Sequence, residues 1–413
     1  MSKSADFERP ALYGGTPVRT EPFPSCQRYG EEELELLREA LAQNTLFYAQ
    51  GKFVHQLEAE VARLLERPYA IATSSGTASL HAALMALGLS PGDEVVTAPI
   101  TDMGTLTPIL WQGAVPVFAD VDDRTYCMTP ASVEAVLTQH TRAVIAVHLW
   151  GNSCDLTGLG KLCDERGIAM VEDCAQAWGC EWEGAPIGTR GVIGCFSLNE
   201  FKHISCGDGG VVVTSDETLA RKLRLATDKA YNREPGAAMR NPTFLAGNYR
   251  MTELQGAVAL AQLGKLADIV KKRRAWCEAL SQRLEGLEGV LPPLPTPGCN
   301  PSWWFYMLRI EPETLGVDAD EFAAGLVAEG IPASAHYIGQ CVYTYPVFTQ
   351  HSAFERGGHP YQAVDYTQIR CPGAEQVLAT GVMLPVKEYF CQAELDDTAR
   401  ALERLAHWHT SRR

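Results

Sequence analysis

The sequence predicts an α/β protein whose large domain has a mostly parallel central sheet and whose smaller C-terminal domain is also α/β. Three observations support this prediction. Short Val- and Ile-rich segments alternate with helical segments, the short segments lack a clear polar alternation, and a long helical stretch precedes a second, shorter α/β pattern. Strands buried on both faces are continuously apolar, and parallel strands need crossover connections, which are usually helices.

The first part of the chain divides into an arm, two helices and an alternating region. Residues 1–30 are rich in Pro and Gly and are expected to drape over the body as an arm. Two helices are predicted at Glu31–Gln43 and Gly51–Leu65, and helices at Ala78–Leu87 and Thr157–Glu165 are expected as crossovers. The predicted strands are Glu94–Ala98, Val115–Ala119, Ala143–His148, Ala169–Glu172, Gly194–Leu198 and Gly210–Thr214.

A long helical region from Thr252 to about Glu288 separates the two domains. We place the boundary within it, near residue 265, which gives a large domain of residues 31–265 and a small domain of residues 266–413. In the small domain the patterns predict a strand at Trp303–Ile310, a helix at Ala319–Glu329 and a closing helix at Ala393–Trp408.

Composition excludes several classes of protein. The chain has 413 residues, of which 46% are hydrophobic and 21% charged, as in ordinary globular enzymes. A net charge of −15 argues against a nucleic-acid partner, and the run Lys271-Lys272-Arg273-Arg274 is expected on the solvated face of a helix. The segment Met1–Glu8 lacks the apolar core of a signal peptide, and no apolar run approaches the roughly 20 residues of a membrane span. We therefore expect a cytoplasmic protein with no membrane partner.

The thirteen cysteines are dispersed, many of them in apolar stretches such as Gly194-Cys195-Phe196. No pair has C-x-x-C spacing, so neither a zinc site nor a redox site is expected, and no metal is predicted. Most of the cysteines are interpreted as small buried hydrophobic residues in a reducing compartment.

Lys202 is the most informative residue of the chain. It follows a predicted strand inside a turn rich in small residues, and Asp173 ends another predicted strand. Pyridoxal phosphate (PLP) chemistry requires this pair. The lysine forms a Schiff base with the cofactor aldehyde, and the acid keeps the pyridine nitrogen protonated so that the ring acts as an electron sink. By itself the pair is weak evidence, because most Asp and Lys residues are solvated surface groups.

The residues around this pair resemble those of one enzyme family. The run Phe196–Gly210, with its F-S-x-x-x-x-K-x-x-x-x-G-D-G-G pattern, resembles the active-site segment of the DegT/StrS family of PLP-dependent sugar and aminocyclitol aminotransferases. Further matches follow in the expected order at Ser75–Leu80, Glu172–Ala177 and Gly247–Gln255. The resemblance runs from about Gly14 to the last helix and implies the aspartate-aminotransferase type of fold, fold type I.

The resemblance also assigns roles to individual residues. It implies that Asp173 pairs with the pyridine nitrogen, that Gln176 faces the cofactor ring and its phenolic oxygen, and that Ser197 binds the phosphate. Asn248 matches a residue that reaches the phosphate from the neighbouring subunit. The resemblance therefore implies a homodimer with a shared active site, in which a loop from about residue 228 to residue 248 crosses over.

The segment Ser75-Gly76-Thr77 precedes a helix and has two interpretations. Free backbone N–H groups, a hydroxyl and the helix dipole suit a phosphate, but the same small residues also suit a plain N-cap. The two are evenly balanced on physical grounds, and the resemblance favours phosphate binding by Gly76 and Thr77.

One residue departs from the family pattern. Asp102 stands in Pro99-Ile100-Thr101-Asp102-Met103, where the family has an aromatic residue that stacks on the cofactor ring. A carboxylate cannot stack, but it can accept a hydrogen bond from cofactor or substrate. Either Met103 supplies the apolar contact or the chemistry differs.

The substrate is indicated only weakly. His336, Tyr337 and Tyr343 lie where relatives contact the sugar, and ordinary aromatic packing explains them equally well. No added basic cluster indicates that the substrate carries a nucleotide diphosphate.

The leading hypothesis is a PLP-dependent aminotransferase that moves the amino group of L-glutamine or L-glutamate to a ketone on a sugar or cyclitol in secondary metabolism. A lysine at position 202 favours transamination, since relatives that act as dehydratases have histidine there. The first alternative is PLP-dependent elimination, dehydration or epimerisation, which Asp102 motivates. The second is a regulatory paralogue that binds PLP without turnover.

Overall fold

The computed structural model describes residues 8–234 and 236–412. The first seven residues of the predicted arm, and with them most of Met1–Glu8, lie outside the described residues. The strands are β1 Tyr69–Thr73, β2 Glu94–Thr97, β3 Val115–Phe118, β4 Thr141–Val147, β5 Ala169–Asp173, β6 Glu181–Trp182, β7 Ala185–Pro186, β8 Ile193–Ser197, β9 Gly210–Thr214, β10 Val290–Leu291, β11 Cys299–Asn300, β12 Phe305–Ile310, β13 Ser334–Ala335 and β14 Gly381–Pro385.

The helices follow the predicted alternation. They are α1 Glu31–Ala42, α2 Phe53–Leu64, α3 Gly76–Leu87, α4 Met103–Trp111, α5 Pro130–Glu134, α6 Leu156–Arg166, α7 Glu217–Thr227, α8 Glu253–Arg283, α9 Pro312–Leu315, α10 Ala319–Ala328, α11 Pro346–Thr349, α12 Pro372–Thr380 and α13 Gln392–Thr410. Short 3-10 turns lie at Ala11–Tyr13, Leu149–Gly151, Val342–Thr344, Pro360–Ala363 and Tyr366–Gln368.

The central sheet has the strand order β1-β9-β8-β5-β4-β2-β3. Pairing is parallel from β8 through β5, β4 and β2 to β3, whereas β9 runs antiparallel to both β8 and β1. All six predicted strands are confirmed, and so is the mostly parallel sheet. Strands β8 and β9 are buried at every position, which explains their continuously apolar sequences.

Strand β1 was not predicted. Its sequence Tyr-Ala-Ile-Ala-Thr contains two alanines and has little intrinsic preference for a strand. Pairing with β9, from Tyr69 opposite Thr214 to Thr73 opposite Gly210, fixes it in the sheet. Because it is antiparallel to β9, β1 points in the same direction as β8.

A four-stranded antiparallel sheet has the order β10-β12-β14-β13 and packs against α10 and α12, while α13 packs against α8 and α10. A short three-stranded antiparallel sheet has the order β11-β6-β7. The predicted strand and both predicted helices of the C-terminal region are confirmed. The long helix α8 begins at a capping box in which Thr252 accepts from the Gln255 N–H, and it connects the central sheet to the four-stranded sheet. The boundary near residue 265 stays a prediction.

The arm lies against the C-terminal region. Glu329 accepts hydrogen bonds from the backbone N–H groups of Ala11 and Val18, both at 2.8 Å. Arg19 forms ion pairs with Glu394 at 2.9 Å and with Asp397 at 3.0 Å. These contacts attach the arm to α10 and α13.

The basic run on α8 was predicted only partly correctly. Lys271 and Lys272 are exposed, but Arg273 is 3% exposed and pairs with Glu388 at 2.7 Å. Arg274 donates to the carbonyl of Pro301 at 3.0 Å. Successive residues on a helix point about 100° apart, so four in a row cannot all face solvent.

Nine of the thirteen cysteines are buried, as the sequence predicted for most of them, and all thirteen are free thiols. Among the described residues, none of the helices combines the length and apolar character that crossing a membrane requires.

Candidate active site

Most of the predicted cofactor-binding residues meet at one edge of the central sheet. Strands β1, β2, β5 and β8 point in the same direction, so their carboxyl ends lie at the same edge. Ser75 to Thr77 follow β1, Asp102 follows β2, Asp173 ends β5, and Lys202 follows β8. In open α/β sheets ligands bind in the crevice outside these strand ends.

A cavity of about 350 Å³ opens at this edge. It contains seven of the eight predicted cofactor-binding residues, namely Gly76, Thr77, Asp102, Asp173, Gln176, Ser197 and Lys202. The rest of its lining is Ser75, Leu80, Thr101, Gly104, Thr105, Val147, Ala175, Asn199, Phe201, Asp208 and Trp304.

Lys202 lies in this cavity with its Nζ 3.8 Å from the ring centre of Trp304. Burial lowers its pKa to about 8, while the negative charges of Asp173 and Asp102 oppose that shift. A lysine with such a pKa has a substantial share of free amine near neutral pH. It can therefore act as a nucleophile towards a carbonyl and as a base.

Asp173 is buried and held by two donors. The Thr105 hydroxyl donates to Oδ2 at 2.8 Å, and the Ala175 N–H donates to Oδ1 at 3.1 Å. Burial raises the pKa of Asp173, and the two hydrogen bonds and the nearby Lys202 charge oppose this rise. A cationic group placed against this carboxylate would favour its ionised form.

Gln176 is fixed at both ends of its amide. Its Oε1 accepts from the backbone N–H of Trp150 at 3.0 Å, and its Nε2 donates to the hydroxyl of Tyr337 at 3.3 Å. Tyr337 thereby contacts the site through Gln176, and its expected contact with substrate stays a prediction.

The residues at the start of α3 suit a phosphate. The N–H groups of Gly76 and Thr77 belong to the first helical turn, which has no intrahelical acceptor for them. A Cβ at position 76 would lie 2.8 Å from Cβ of Ser197, so glycine lets the helix end approach that hydroxyl residue. Ser75 caps the helix by accepting from the Ala78 N–H, so the N-cap interpretation holds for Ser75 and leaves the following N–H groups free for an anion. The lysine, the buried acid and this anion cradle together fit PLP.

Asp102 is exposed at the cavity and caps α4, where its Oδ1 accepts from the Gly104 N–H at 2.7 Å. Met103 packs against the core and is absent from the cavity lining. Of the two explanations for the missing aromatic residue, the geometry therefore does not support replacement by Met103.

Four predicted residues lie outside the cavity lining, and of these Tyr337 reaches it only through its contact with Gln176. Asn248 is exposed and pairs with Asp228 in an isolated bridge. His336 contacts the carbonyl of Leu378 and Asp320. Tyr343 is 1% exposed and donates to Glu375 at 2.6 Å, which indicates a packing role within this chain.

Sequence reasoning missed Trp304, the aromatic side chain that covers Lys202. Its Nε1 donates to the carbonyl of Phe201 at 2.6 Å, which ties the ring to the lysine turn. The pair Trp303-Trp304 was visible only as the start of a predicted strand. Nothing local in the sequence indicates that this strand approaches Lys202.

A buried polar cluster adjoins Asp173, since two of its members flank Asp173 in the chain and the His148 N–H donates to the Asp173 carbonyl. The ligand atoms of His148, Glu172 and Cys174 lie within 4.8 Å of one another, a grouping that is capable of holding a metal. The carboxylate of Glu172 already accepts from the N–H groups of Gly188, Arg190 and Gly191 at 2.6–2.8 Å, and it lies 3.1 Å from His148 Nε2. Burial would raise the pKa of Glu172, but these hydrogen bonds and the His148 charge lower it overall. The cluster is explained as a buried ion pair that supports the end of β5.

Comparisons with known proteins agree with this geometry. The profile of the DegT/DnrJ/EryC1/StrS aminotransferase family matches residues 27–403. A protein of Streptoalloteichus tenebrarius named "Putative L-glutamine:3-amino-2,3-dideoxy-scyllo-inosose aminotransferase" is 34% identical over 387 residues, covering 92% of this chain and 89% of the relative.

Solved structures with a similar fold also include aminotransferases. An aminotransferase from Psychrobacter cryohalolentis superposes with a TM-score of 0.82 at 27% identity, covering 93% of this chain and 98% of that chain. S. venezuelae DesV, solved in complex with a ketimine intermediate, superposes with a TM-score of 0.79 at 28% identity, covering 92% and 94%. These likenesses confirm the predicted fold.

Proposed function

The chain belongs to the DegT/DnrJ/EryC1/StrS aminotransferase family, and we propose that the cavity at the carboxyl ends of β1, β2, β5 and β8 is its active site. Of the three activities weighed from the sequence, the family and its relatives establish the first, a PLP-dependent aminotransferase. The observation that carries the assignment of the site is that seven of the eight residues expected to bind the cofactor line one cavity.

PLP, when bound, is an electron sink that lets the amino group pass from donor to acceptor. In the proposed site Lys202 would hold the cofactor through Nζ and, when free, would move the proton at the substrate carbon that bears nitrogen. Its pKa of about 8 suits both tasks, because amine and ammonium are both accessible near neutral pH. Trp304 covers the Nζ and limits its contact with water.

The other lining residues orient the cofactor. Asp173 would pair with the pyridine nitrogen, and Thr105 and the Ala175 N–H hold its carboxylate in place for that role. Gln176, whose amide is fixed by Trp150, would face the ring. The helix end at Gly76 and Thr77, together with Ser197, would hold the phosphate.

The amino donor is L-glutamine or L-glutamate, and the acceptor is a ketone on a sugar or cyclitol in aminosugar or aminocyclitol biosynthesis. This proposal is supported by the name of the curated relative, which specifies L-glutamine and a cyclitol ketone. The free buried cysteines fit a cytoplasmic enzyme, because thiols stay reduced there.

The donor half-reaction tests the proposal directly. The visible absorption of the protein reconstituted with PLP is recorded while L-glutamine, L-glutamate and L-alanine are added one at a time without acceptor. We expect one donor to convert the bound cofactor into its amine form and to release one equivalent of keto acid. If none of them reacts, the proposed donors are wrong.

Lys202→Ala tests the residue assignment. The variant is expected to keep the circular dichroism of the parent and to lose turnover. Lys161→Ala, which removes an exposed lysine paired only with Glu165, is the matched control. Near-normal activity of Lys202→Ala would contradict the assignment.

Asn248 is proposed to bind the phosphate held by the other subunit of a homodimer. Its exposure within one chain, on the loop expected to cross over, supports this proposal. Lys202→Ala and Asn248→Ala chains are each expected to be impaired, and mixing them is expected to restore activity. In the mixed dimer one site has both native residues. No restoration in verified mixed dimers would contradict a shared site.

A further inference from the structure

We infer that Cys180 and Cys299 form a redox-sensitive pair, which a peroxide converts into a reversible disulfide that links two segments of the proposed active site. One segment runs from Asp173 through Gln176 to Cys180, and the other runs from Cys299 to Trp304. Asp173, Gln176 and Trp304 all line the cavity. The inference concerns a modification site outside the reacting groups, and it does not depend on which substrates the enzyme takes.

The two sulfur atoms already lie next to each other. Cys180 Sγ is 3.6 Å from Cys299 Sγ, and a disulfide requires about 2.05 Å, so the sulfurs would have to approach by roughly 1.5 Å. Cys180 directly precedes β6, and Cys299 begins β11, which pairs with β6 so that Cys299 lies opposite Trp182. No C-x-x-C spacing indicates this pair, because the two cysteines are roughly 120 residues apart in the chain.

The backbone on both sides of this contact is fixed by an arginine. Arg274 of α8 donates to the carbonyl of Asn300 at 3.3 Å and to the carbonyl of Gly179 at 3.5 Å. Gly179 directly precedes Cys180, and Asn300 directly follows Cys299. The two thiols therefore lie on neighbouring backbone segments that are both attached to α8, and their proximity does not depend on side-chain rotation alone.

The two thiols differ in their access to an oxidant. Cys180 is 1% exposed, whereas Cys299 is partly exposed. The Cys299 thiolate would attack one oxygen of hydrogen peroxide, which breaks the O–O bond, forms a sulfenic acid and releases the other oxygen as water. The Cys180 sulfur would then attack the sulfenic sulfur, and the hydroxide that leaves would take up the Cys180 proton. In total two thiols lose two electrons, and one peroxide is reduced to two molecules of water.

The disulfide would strengthen a connection that the protein already makes without it. The Trp150 N–H donates to Gln176 Oε1 at 3.0 Å, and the Trp150 carbonyl accepts from the Trp304 N–H at 2.8 Å. Trp150 thus joins the two segments by hydrogen bonds, and a bond between Cys180 and Cys299 would join them covalently. Because the bond closes a loop of roughly 120 residues in the unfolded chain, the oxidised protein is expected to be more stable than the reduced protein.

Other thiols of the chain are less suited to this reaction. Cys127 and Cys154 also interact with each other, but they are 2% and 0% exposed, so a dissolved oxidant reaches neither. The two exposed thiols, Cys26 and Cys391, contact oxygen atoms instead of sulfur. An intramolecular disulfide is therefore expected at Cys180 and Cys299.

Mass spectrometry of the oxidised full-length protein tests the inference. The protein is reduced, freed of reductant and treated with hydrogen peroxide, and the remaining thiols are then alkylated before digestion without reduction. We expect a cross-linked pair of peptides that contains Cys180 and Cys299 and that a thiol reductant separates. In Cys180→Ser the cross-link should be lost and Cys299 should accumulate as a sulfenic acid, which dimedone traps. In Cys299→Ser the cross-link should also be lost, and Cys180 should stay unmodified because it is buried.

Cys26→Ser is the matched control, since it removes an exposed thiol and should form the cross-link as the parent does. Urea denaturation gives a second readout. The oxidised parent is expected to unfold at a higher urea concentration than the reduced parent, and this shift should be absent in Cys299→Ser. Circular dichroism of the reduced variants shows whether each has folded, and the measurements on the parent remain decisive if one has not.

Two outcomes would overturn the inference. The first is an oxidised parent without the Cys180–Cys299 cross-link, whether it has no disulfide at all, a disulfide between Cys127 and Cys154, or one between two chains. The second is a cross-linked parent whose urea midpoint does not rise, which would contradict the link between the two segments. Because these readouts need neither amino donor nor acceptor, their failure would leave the proposed aminotransferase function standing, and failure of that function would leave this inference standing.

Discussion

The acidity of Lys202 gives the sharpest quantitative prediction. Burial lowers its pKa from 10.5 to about 8. At pH 7 the free-amine fraction is then roughly 10%, against roughly 0.03% for an ordinary lysine, so burial raises the reactive form roughly 300-fold. The protein without PLP is treated briefly with an amine-selective acylating reagent between pH 6 and about pH 11. Modification of Lys202 is measured by site-resolved mass spectrometry.

The rate at Lys202 is expected to rise tenfold per pH unit up to about pH 8 and then to level off. A lysine in an unstructured peptide, added to the same sample, should continue to rise to about pH 10.4. The downward direction of the pKa shift of Lys202 also follows from the structure, because burial disfavours the charged form of a base. Asp102→Asn removes one of the two charges that oppose the shift and is expected to move the midpoint lower. A midpoint above 10 for Lys202 would refute the argument that burial activates this residue.

Three further substitutions test how the site is built. Trp304→Phe keeps an apolar cover but weakens the cation–π contact, so the midpoint of Lys202 should fall by roughly 0.3–0.7 pH units in the same modification assay. Gly76→Ala introduces a Cβ 2.8 Å from a neighbouring side chain and should weaken PLP binding at least roughly tenfold, as measured by equilibrium titration. Glu172→Gln breaks a buried ion pair and should reduce the free energy of unfolding by about 3–5 kcal/mol in urea denaturation at neutral pH. Because the folded-state pKa of Glu172 is lowered, this difference should be present above about pH 4.5 and shrink as the pH falls further.

Each of these changes has a matched control in the chain. Trp111→Phe alters a tryptophan that is 57% exposed and should leave the Lys202 midpoint where it is. Gly160→Ala, in α6, meets only Met170 Cε at 3.8 Å and should leave PLP affinity unchanged. Glu165→Gln removes an exposed i,i+4 pair and should change stability by no more than about 0.5 kcal/mol. If a control variant changes the Lys202 midpoint, the PLP affinity or the stability as much as its paired substitution does, the corresponding prediction is contradicted.

Much of the fold could be predicted because its signals are local. The six predicted strands are short apolar runs, and the predicted helices have near-helical spacing of apolar residues, so neither depends on distant contacts. Strand β1 escaped prediction because its alanine-rich sequence becomes a strand only through pairing with β9. Arg273 was expected in solvent, but its burial depends on Glu388, a partner far along the chain.

For the candidate site too, some features could be predicted from the sequence and others depended on the tertiary structure. Sequence by itself determined which residue types follow the strands, and the family resemblance carried by its motifs implied that Lys202, Asp173, Gln176 and the helix end at Gly76 belong to one cofactor site. Parallel strands carry such residues to one edge, so the juxtaposition follows from the order of elements.

Only the tertiary structure decided how those residues behave. The pKa of Lys202 depends on burial and on Trp304. Likewise, Tyr343 proved to be a packed side chain, while Tyr337 contacts Gln176. Burial and charge are set by packing between segments that are distant in sequence, and no local pattern of residues encodes those contacts.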